Sequence, residues 1–325
     1  MIYVNMIIIM IKNRQIAILL ISTLLIMPIL PTITSVSNSK SNNAHSNSVN
    51  ISYDSTIIWM SDTQYYSEKY PYIFSNITDW IAAKQDELNI SYVVHTGDIV
   101  DNFQILSEWI NASKSMRELD AAKIPYGVLA GNHDNALSNF HLFYNLFFGR
   151  WRSHKNGLFA GSIFGNQNHY DLFSINNCDF IVLYLSYGIS SFEFTWADTI
   201  LQQHADRHAI IAVHAYIERG GEYILQGAKI FNELVVPNDN VIMVLCGHKH
   251  DVELNTKTIE NRTVYEILAN YQSEPLGGSG YIRLLQFAIE DELLYVKTYS
   301  PYLDDYNYHP PEEDEFILDL NFSKK

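Results

Sequence analysis

Five apolar runs in this 325-residue chain are each followed at once by a short polar cluster, a repetition that restricts the fold more than any other feature. The runs cover residues 56–60, 92–94, 126–129, 210–213 and 241–246, and by length and composition they read as strands. Behind them lie Asp62-Thr63-Gln64, Gly97-Asp98-Ile99-Val100-Asp101, Gly131-Asn132-His133-Asp134, His214 and Gly247-His248-Lys249-His250. In open α/β sheets the ligand crevice lies beyond the carboxyl ends of the strands. Five polar clusters at five strand exits are therefore expected to converge on one site.

Between the early strands, apolar residues recur at helical spacing. Ile73, Ile77, Trp80 and Ile81 form one stripe, and Ile105, Trp109, Met116 and Leu119 form another. A third helix, from about Phe194 to Gln203, begins behind Ser190-Ser191, whose hydroxyls are suited to an N-cap. After His250 the strand-like runs 263–268, 281–289, 293–299 and 316–320 follow one another without helices. They predict an antiparallel second sheet packed face to face on the first. The result is an α/β fold of four layers, two mixed β-sheets flanked by helices. Residues 135–168 read as a long functional loop or cap, in which Arg150, Arg152 and Lys155 either clamp phosphate or are solvated loop charges.

The amino terminus reads as a targeting segment. Lys12 and Arg14 precede an apolar stretch from Ile16 to Leu30, and Ser35-Val36-Ser37 offers small residues for cleavage. We assign 1–37 to a signal peptide, 38–50 to a flexible Ser/Asn-rich linker and 51–325 to the catalytic domain, which predicts a secreted or extracytoplasmic protein. An uncleaved anchor is the competing reading, but the stretch falls short of the roughly 20 residues a spanning helix needs. Membrane contact is expected only through this segment if it is uncleaved. A net charge of −15 argues against nucleic-acid polymers as partners, because binding them takes basic patches that neutralise phosphates. Cys178 and Cys246 are too few for a disulfide framework and read as thiols packed like small hydrophobes.

The clusters contain the residue types that two-metal phosphate-ester cleavage needs: a shared carboxylate, further oxygen and imidazole ligands, and an acid for the leaving group. Asp98 suits the shared role, since Gly97 permits a tight strand exit. His248 and His250, two residues apart on one turning loop, can address different ions, and Asn132 and His214 complete the second. His133 is left free to protonate a leaving alkoxide, with Asp134 placed to orient its ring. His95 and His169 read as hydrogen-bonded core or rim residues.

In order and spacing, Gly-Asp-x-x-Asp, Gly-Asn-His-Asp and Gly-His-x-His resemble the calcineurin-like metallophosphoesterases. The resemblance implies the metallo-dependent phosphatase-like fold, with Asp62, Asp98 and His250 on the first ion and Asp98, Asn132, His214 and His248 on the second. It also implies His133 as general acid and in-line attack on phosphorus by a metal-bridging hydroxide. Two divalent ions, from among Mn, Fe, Zn and Mg, are the implied cofactors, and a small phosphoester is the substrate. Nucleotide or other phosphodiester substrates, and a non-catalytic cell-surface metal-binding protein, are the alternatives. One position departs from the pattern: Gln64 stands where the family carries histidine. Its carbonyl oxygen can still bind a cation, and that harder donor favours Mn, Mg or Ca over iron or zinc. Asp101 stands where the purple, iron-tyrosinate branch carries tyrosine, which argues against that branch.

Overall fold

The computed structural model describes residues 52–135, 141–155, 157–320 and 322. The expected signal segment and linker lie outside them. In chain order the strands are β1 (Ser55–Met60), β2 (Ile90–His95), β3 (Tyr126–Val128), β4 (Phe159–Ile163), β5 (Asn168–Ile175), β6 (Cys178–Leu185), β7 (His208–Val213), β8 (Val241–Cys246), β9 (Asp251–Ile259), β10 (Arg262–Asn270), β11 (Ile282–Ala288), β12 (Leu293–Ser300), β13 (Asp305–Tyr306) and β14 (Phe316–Asp319). The helices are α1 (Gln64–Glu68), α2 (Pro71–Ala83), α3 (Leu106–Ala122), α4 (Leu142–Phe148), α5 (Arg150–Ser153), α6 (Ser191–Gln203), α7 (Leu225–Ile230), α8 (Pro275–Gly278) and α9 (Pro311–Asp314).

Two seven-stranded mixed sheets result. The first runs β13-β12-β11-β1-β2-β3, with β14 also paired to β12, and the second runs β4-β5-β6-β7-β8-β10-β9. Two mixed sheets are as expected, but the late strands do not form an antiparallel second sheet of their own and are shared between the two. The strands β11 to β14 return to complete the sheet begun by β1 to β3, through the antiparallel pairing of β1 with β11, whereas β9 and β10 join the sheet of β7 and β8. Each sheet keeps a run of parallel strands, β1-β2-β3 at one edge of the first and β6-β7-β8 in the middle of the second.

Alternation along the strands explains the layering. Ile57 and Trp59 of β1 face the other sheet and pack with Val182, Ile210, Met243 and Leu245, while Ile58 and Met60 face outward onto Ile73, Ile77 and Trp109 of α2 and α3. On the far side, Ile211, Val213 and Val244 meet Phe194, Ala197 and Leu201 of α6. Strands covered on both faces have no polar face, which is why they read as continuous apolar runs. Each fully buried Ile, Leu or Phe contributes roughly 1.5–3 kcal/mol. A polar pin crosses this core: Tyr184 Oη donates to Tyr92 Oη at 2.9 Å, and Tyr92 Oη donates to the buried carboxylate of Asp171.

Local signals set the helices. Pro71 opens α2, the N1 position that suits its missing N–H. At the head of α6, Glu193 Oε2 accepts from the Ser190 N–H at 2.6 Å, a capping box. The region expected to be one long loop instead carries α4, α5 and β4. Within it, Arg152 is buried and donates to Asp120 Oδ2 at 2.8 Å and Ser113 Oγ at 3.1 Å, so it ties α5 to α3 and is no phosphate clamp. Arg150 donates to His154 at 3.0 Å on the surface. Cys246 is fully buried, and burial pushes its thiol up to about 12, the behaviour of an inert core residue. Among the described residues, no helix is long and apolar enough to cross a membrane.

Candidate metal centre

Because the sheets pack face to face with their parallel strands ending at the same edge, the five clusters come together from both. Asp62, Asp98 and the 131–134 turn leave the first sheet, and His214 and the 247–250 turn leave the second. Hydrogen bonds stitch the two sides, His214 Nδ1 to the Thr96 carbonyl at 2.9 Å and His248 N–H to the Asp62 carboxylate at 3.2 Å, and within the first His133 N–H donates to Asp98 Oδ1 at 2.9 Å. Asp62, Asp98 and His248 all have left-handed backbone, with φ of 52°, 51° and 68°. Such conformations cost of order 1–3 kcal/mol each and gather at functional sites.

The donor set fits a cation. His214 Nδ1–H is committed to the Thr96 carbonyl, so the lone pair of Nε2 faces Asn132 Oδ1 at 2.9 Å and Asp98 Oδ2 at 3.2 Å. Asp98 and His214 are buried and Asn132 is half-buried, and three such groups converging there need a positive charge among them, a proton or a cation. Ligand atoms of Asp98, His214 and His248 lie within 4.8 Å of one another. An imidazole whose other nitrogen donates to a carbonyl is the usual form of a metal-ligating histidine. Close backbone approach is built in as well: a Cβ at Gly131 would overlap the Asp98 carboxylate, and one at Gly247 would overlap Asp62 and Ser61.

Electrostatics mark the same place as one that favours positive charge, held as a proton on His214 Nε2 wherever a cation does not take that lone pair. Burial opposes charge on the His214 ring, but Asp98 and Asp62 outweigh it and push the ring up to about 9. Asp98 is held below its ordinary value, burial being outweighed by His214 and His133. Burial, with Asp98 adding to it, pushes Asp62 up to about 7. Burial and the neighbouring His214 lower His248 to about 4, which keeps its ring neutral and able to ligate. A relay holds Asp62 in place: Trp59 Nε1 donates to Thr96 Oγ1 at 3.0 Å, Thr96 Oγ1 to Ser61 Oγ at 2.7 Å, and Ser61 Oγ to the Asp62 carboxylate.

On the first-ion side, Gln64 is buried with its amide beside Asp98. In one orientation its NH2 donates to Asp98 Oδ2 over a long 3.4 Å. Turned over, the NH2 meets Gln272 Oε1 and the Asp62 carbonyl, each at 2.9 Å, and the Asp98 carbonyl at 3.1 Å. The second orientation serves three acceptors and turns the Gln64 carbonyl oxygen toward the Asp98 carboxylate. His250 is exposed, and its Nε2 lies 2.5 Å from Gln272 Nε2.

The acid pair is arranged differently from the sequence reading. His133 is 39% exposed, and its Nδ1 lies 2.7 Å from the backbone carbonyl of Asp101, which orients the ring. Asp134 is buried and turned away, accepting from Ile99, Val100 and Gly131 N–H at 2.8–3.1 Å. It clamps the two ligand loops together and does not hold the His133 ring. His95 supports from below, its Nδ1 accepting from Gly97 N–H at 3.1 Å and its Nε2 lying 2.9 Å from Thr63 Oγ1. Sequence reasoning missed Thr96, Gln272 and Tyr187, whose ring lies 5.7 Å from that of His248 and 6.0 Å from that of His214. A second acidic group, Asp251, His309 and Glu313, is bridged by Arg219, which pairs with Asp251 and, at 3.3 Å, with Glu313.

A sequence profile of calcineurin-like phosphoesterases matches residues 55–252. The Bacillus subtilis (strain 168) protein YvnB is 44% identical over 282 residues, covering 83% of this chain and 22% of that one. The chain thus spans about a fifth of the length of this curated relative. Among solved structures, a dimetal phosphatase from Danio rerio superimposes with a TM-score of 0.59 at 15% identity, over 83% of this chain and all of that one. A purple acid phosphatase from yellow lupin seeds gives 0.57 at 12% identity, over 83% of this chain and 54% of that one. At such identities the two structures are alike in fold.

Proposed function

The chain belongs to the calcineurin-like phosphoesterase family, and from that premise we propose that it is a dinuclear-metal phosphoric ester hydrolase, exported from the cytoplasm, acting on small phosphate esters. One observation carries the reading: Asn132 Oδ1 and Asp98 Oδ2, drawn from one sheet, converge on His214 Nε2 of the other at 2.9 and 3.2 Å, with Asp98 and His214 buried and Asn132 half-buried, a donor set suited to a divalent cation. Asp62, Gln64, Asp98 and His250 would hold the first ion, and Asp98, Asn132, His214 and His248 the second. Bound there, the ions supply Lewis acidity to the phosphoryl oxygens and lower the pKa of the attacking water.

The remaining work falls to the protein. The Ser61–Thr96–Trp59 relay and the Asp134 clamp hold the carboxylates in place, so little reorganisation is needed as charge develops. His133 stands at the solvent side of the ligands with Nδ1 fixed by the Asp101 carbonyl. That leaves Nε2 to hold the proton delivered to the leaving alkoxide. The net charge of −15 supports small esters over nucleic-acid polymers as substrates, and the basic-then-apolar amino terminus supports export.

His133→Ala tests the assignment. It should keep both ions by metal analysis, slow hydrolysis of an alkyl phosphate by about a hundredfold or more, and spare p-nitrophenyl phosphate, whose leaving group needs no proton. Equal losses on both esters would remove His133 from the acid role.

A further inference from the structure

A sixth strand exit reaches the same site. β10 lies beside β8 in parallel, with Leu268 opposite Cys246, and beside β9, with Asn270 opposite Asp251. The chain leaving β10 therefore passes the 247–250 turn, and two residues past the strand it places Gln272. That side chain is 7% exposed. Its backbone is fixed by an N–H bond to Asn270 Oδ1 at 2.9 Å, and Asn270 is itself 1% exposed.

The Gln272 amide lies between the two first-ion residues that the other strands supply. Its Oε1 is 2.9 Å from the Gln64 NH2, and its Nε2 is 2.5 Å from His250 Nε2. The nitrogen of His250 that accepts from Gln272 is the one whose lone pair could face an ion, so amide and imidazole address the same point. Turned about its last bond, the Gln272 amide presents oxygen there in place of NH2. The Gln272 NH2 then meets the Gln64 carbonyl oxygen, which lies against the Gln272 amide, so each amide oxygen keeps a lone pair for the ion.

We propose that Gln272 is a direct ligand of the first ion, its amide oxygen acting with that of Gln64 in place of the histidine found in the family's first motif. Two amide oxygens make that site hard, and it selects Mn2+ over Zn2+. This rests on the phosphoesterase reading above, which supplies the ion. It adds a ligand from outside the five clusters and ties Gln64 to a partner on the opposite sheet.

The test is calorimetric titration of Mn2+ and Zn2+ into the chelator-stripped full chain, using wild type, Gln272→Ala and Gln272→Glu. Asn132→Ala is included to identify the second-ion step by its loss. Gln272→Ala should weaken the first-ion step for Mn2+ by about tenfold or more and leave the second step in place. Gln272→Glu keeps an oxygen donor and adds charge, so it should bind Mn2+ at least as tightly as wild type. The proposal is overturned if Gln272→Ala titrates like wild type, or if Gln272→Glu is as weak as Gln272→Ala. The second result would mean that Gln272 acts only through its NH2 on His250. Wild type that takes up neither ion would overturn the phosphoesterase reading itself, an outcome separable from both.

Discussion

Replacing Asp134 by asparagine separates the two roles this residue can have. In the structure both carboxylate oxygens are engaged, Oδ1 with Ile99 and Val100 N–H at 2.8 and 3.0 Å and Oδ2 with Gly131 and Ile99 N–H at 2.8 and 3.1 Å. Asparagine keeps one acceptor oxygen. If that oxygen serves Ile99 and Val100, the new NH2 confronts the Gly131 N–H, donor against donor, in a place only 2% exposed. Stranding that buried N–H costs about 2 kcal/mol. For a domain of this size that is a fall in Tm of roughly 5 °C. Burial and Asp98 push the Asp134 carboxyl up to about 7 against the pull of its N–H donors, so rising pH penalises wild type and not the asparagine variant, and the melt belongs near pH 4, before that cost appears. Because Asp134 joins the Asp98 loop to the Asn132 loop, Mn2+ affinity should fall together with stability. An unchanged Tm, with activity lost only on alkyl phosphates, would refute the clamp and restore Asp134 as the residue that orients His133.

The strands nearest the site were legible because they are buried on both faces, so β1, β7 and β8 announce themselves as unbroken apolar runs with polar exits. Their distribution between sheets was not. That depends on pairings such as Trp59 with Arg283, made between residues far apart in the chain, and periodicity within a strand carries no record of its partner. In β4, with intermediate burial along most of its length, the apolar signal is weak, and the 135–168 region reads as loop for that reason. For the site, the metal-binding residue types stood out as clusters. The ring of His133, however, is oriented by a backbone carbonyl, which no side-chain motif encodes. Gln272 was hidden differently: β10 runs out at Asn270 into Tyr271-Gln272, a polar strand exit like the other five, but it lacks the carboxylates and imidazoles by which those were recognised.

Two further outcomes follow from groups outside the metal centre. Arg152→Ala should destabilise by about 2 kcal/mol, a figure discounted because Asp120 is 32% exposed, while KM for a phosphate ester stays unchanged; a raised KM at unaltered Tm would revive the phosphate clamp. Asp171 makes stability depend on pH between the sheets. Burial raises its carboxyl from 3.8 to about 7, and its Oδ1 is buried without a donor, so the folded state favours the protonated acid. With the folded pKa above the unfolded one, the contribution is fully present below about pH 4 and is lost as pH rises toward 7, by at most about 4 kcal/mol. Asp171→Asn cannot ionise and still accepts from Tyr92. It should match wild type near pH 4, exceed it at pH 8, and flatten the slope between. Urea unfolding of both proteins across that range measures the difference, and parallel curves would mean that Asp171 titrates near its ordinary value in the fold.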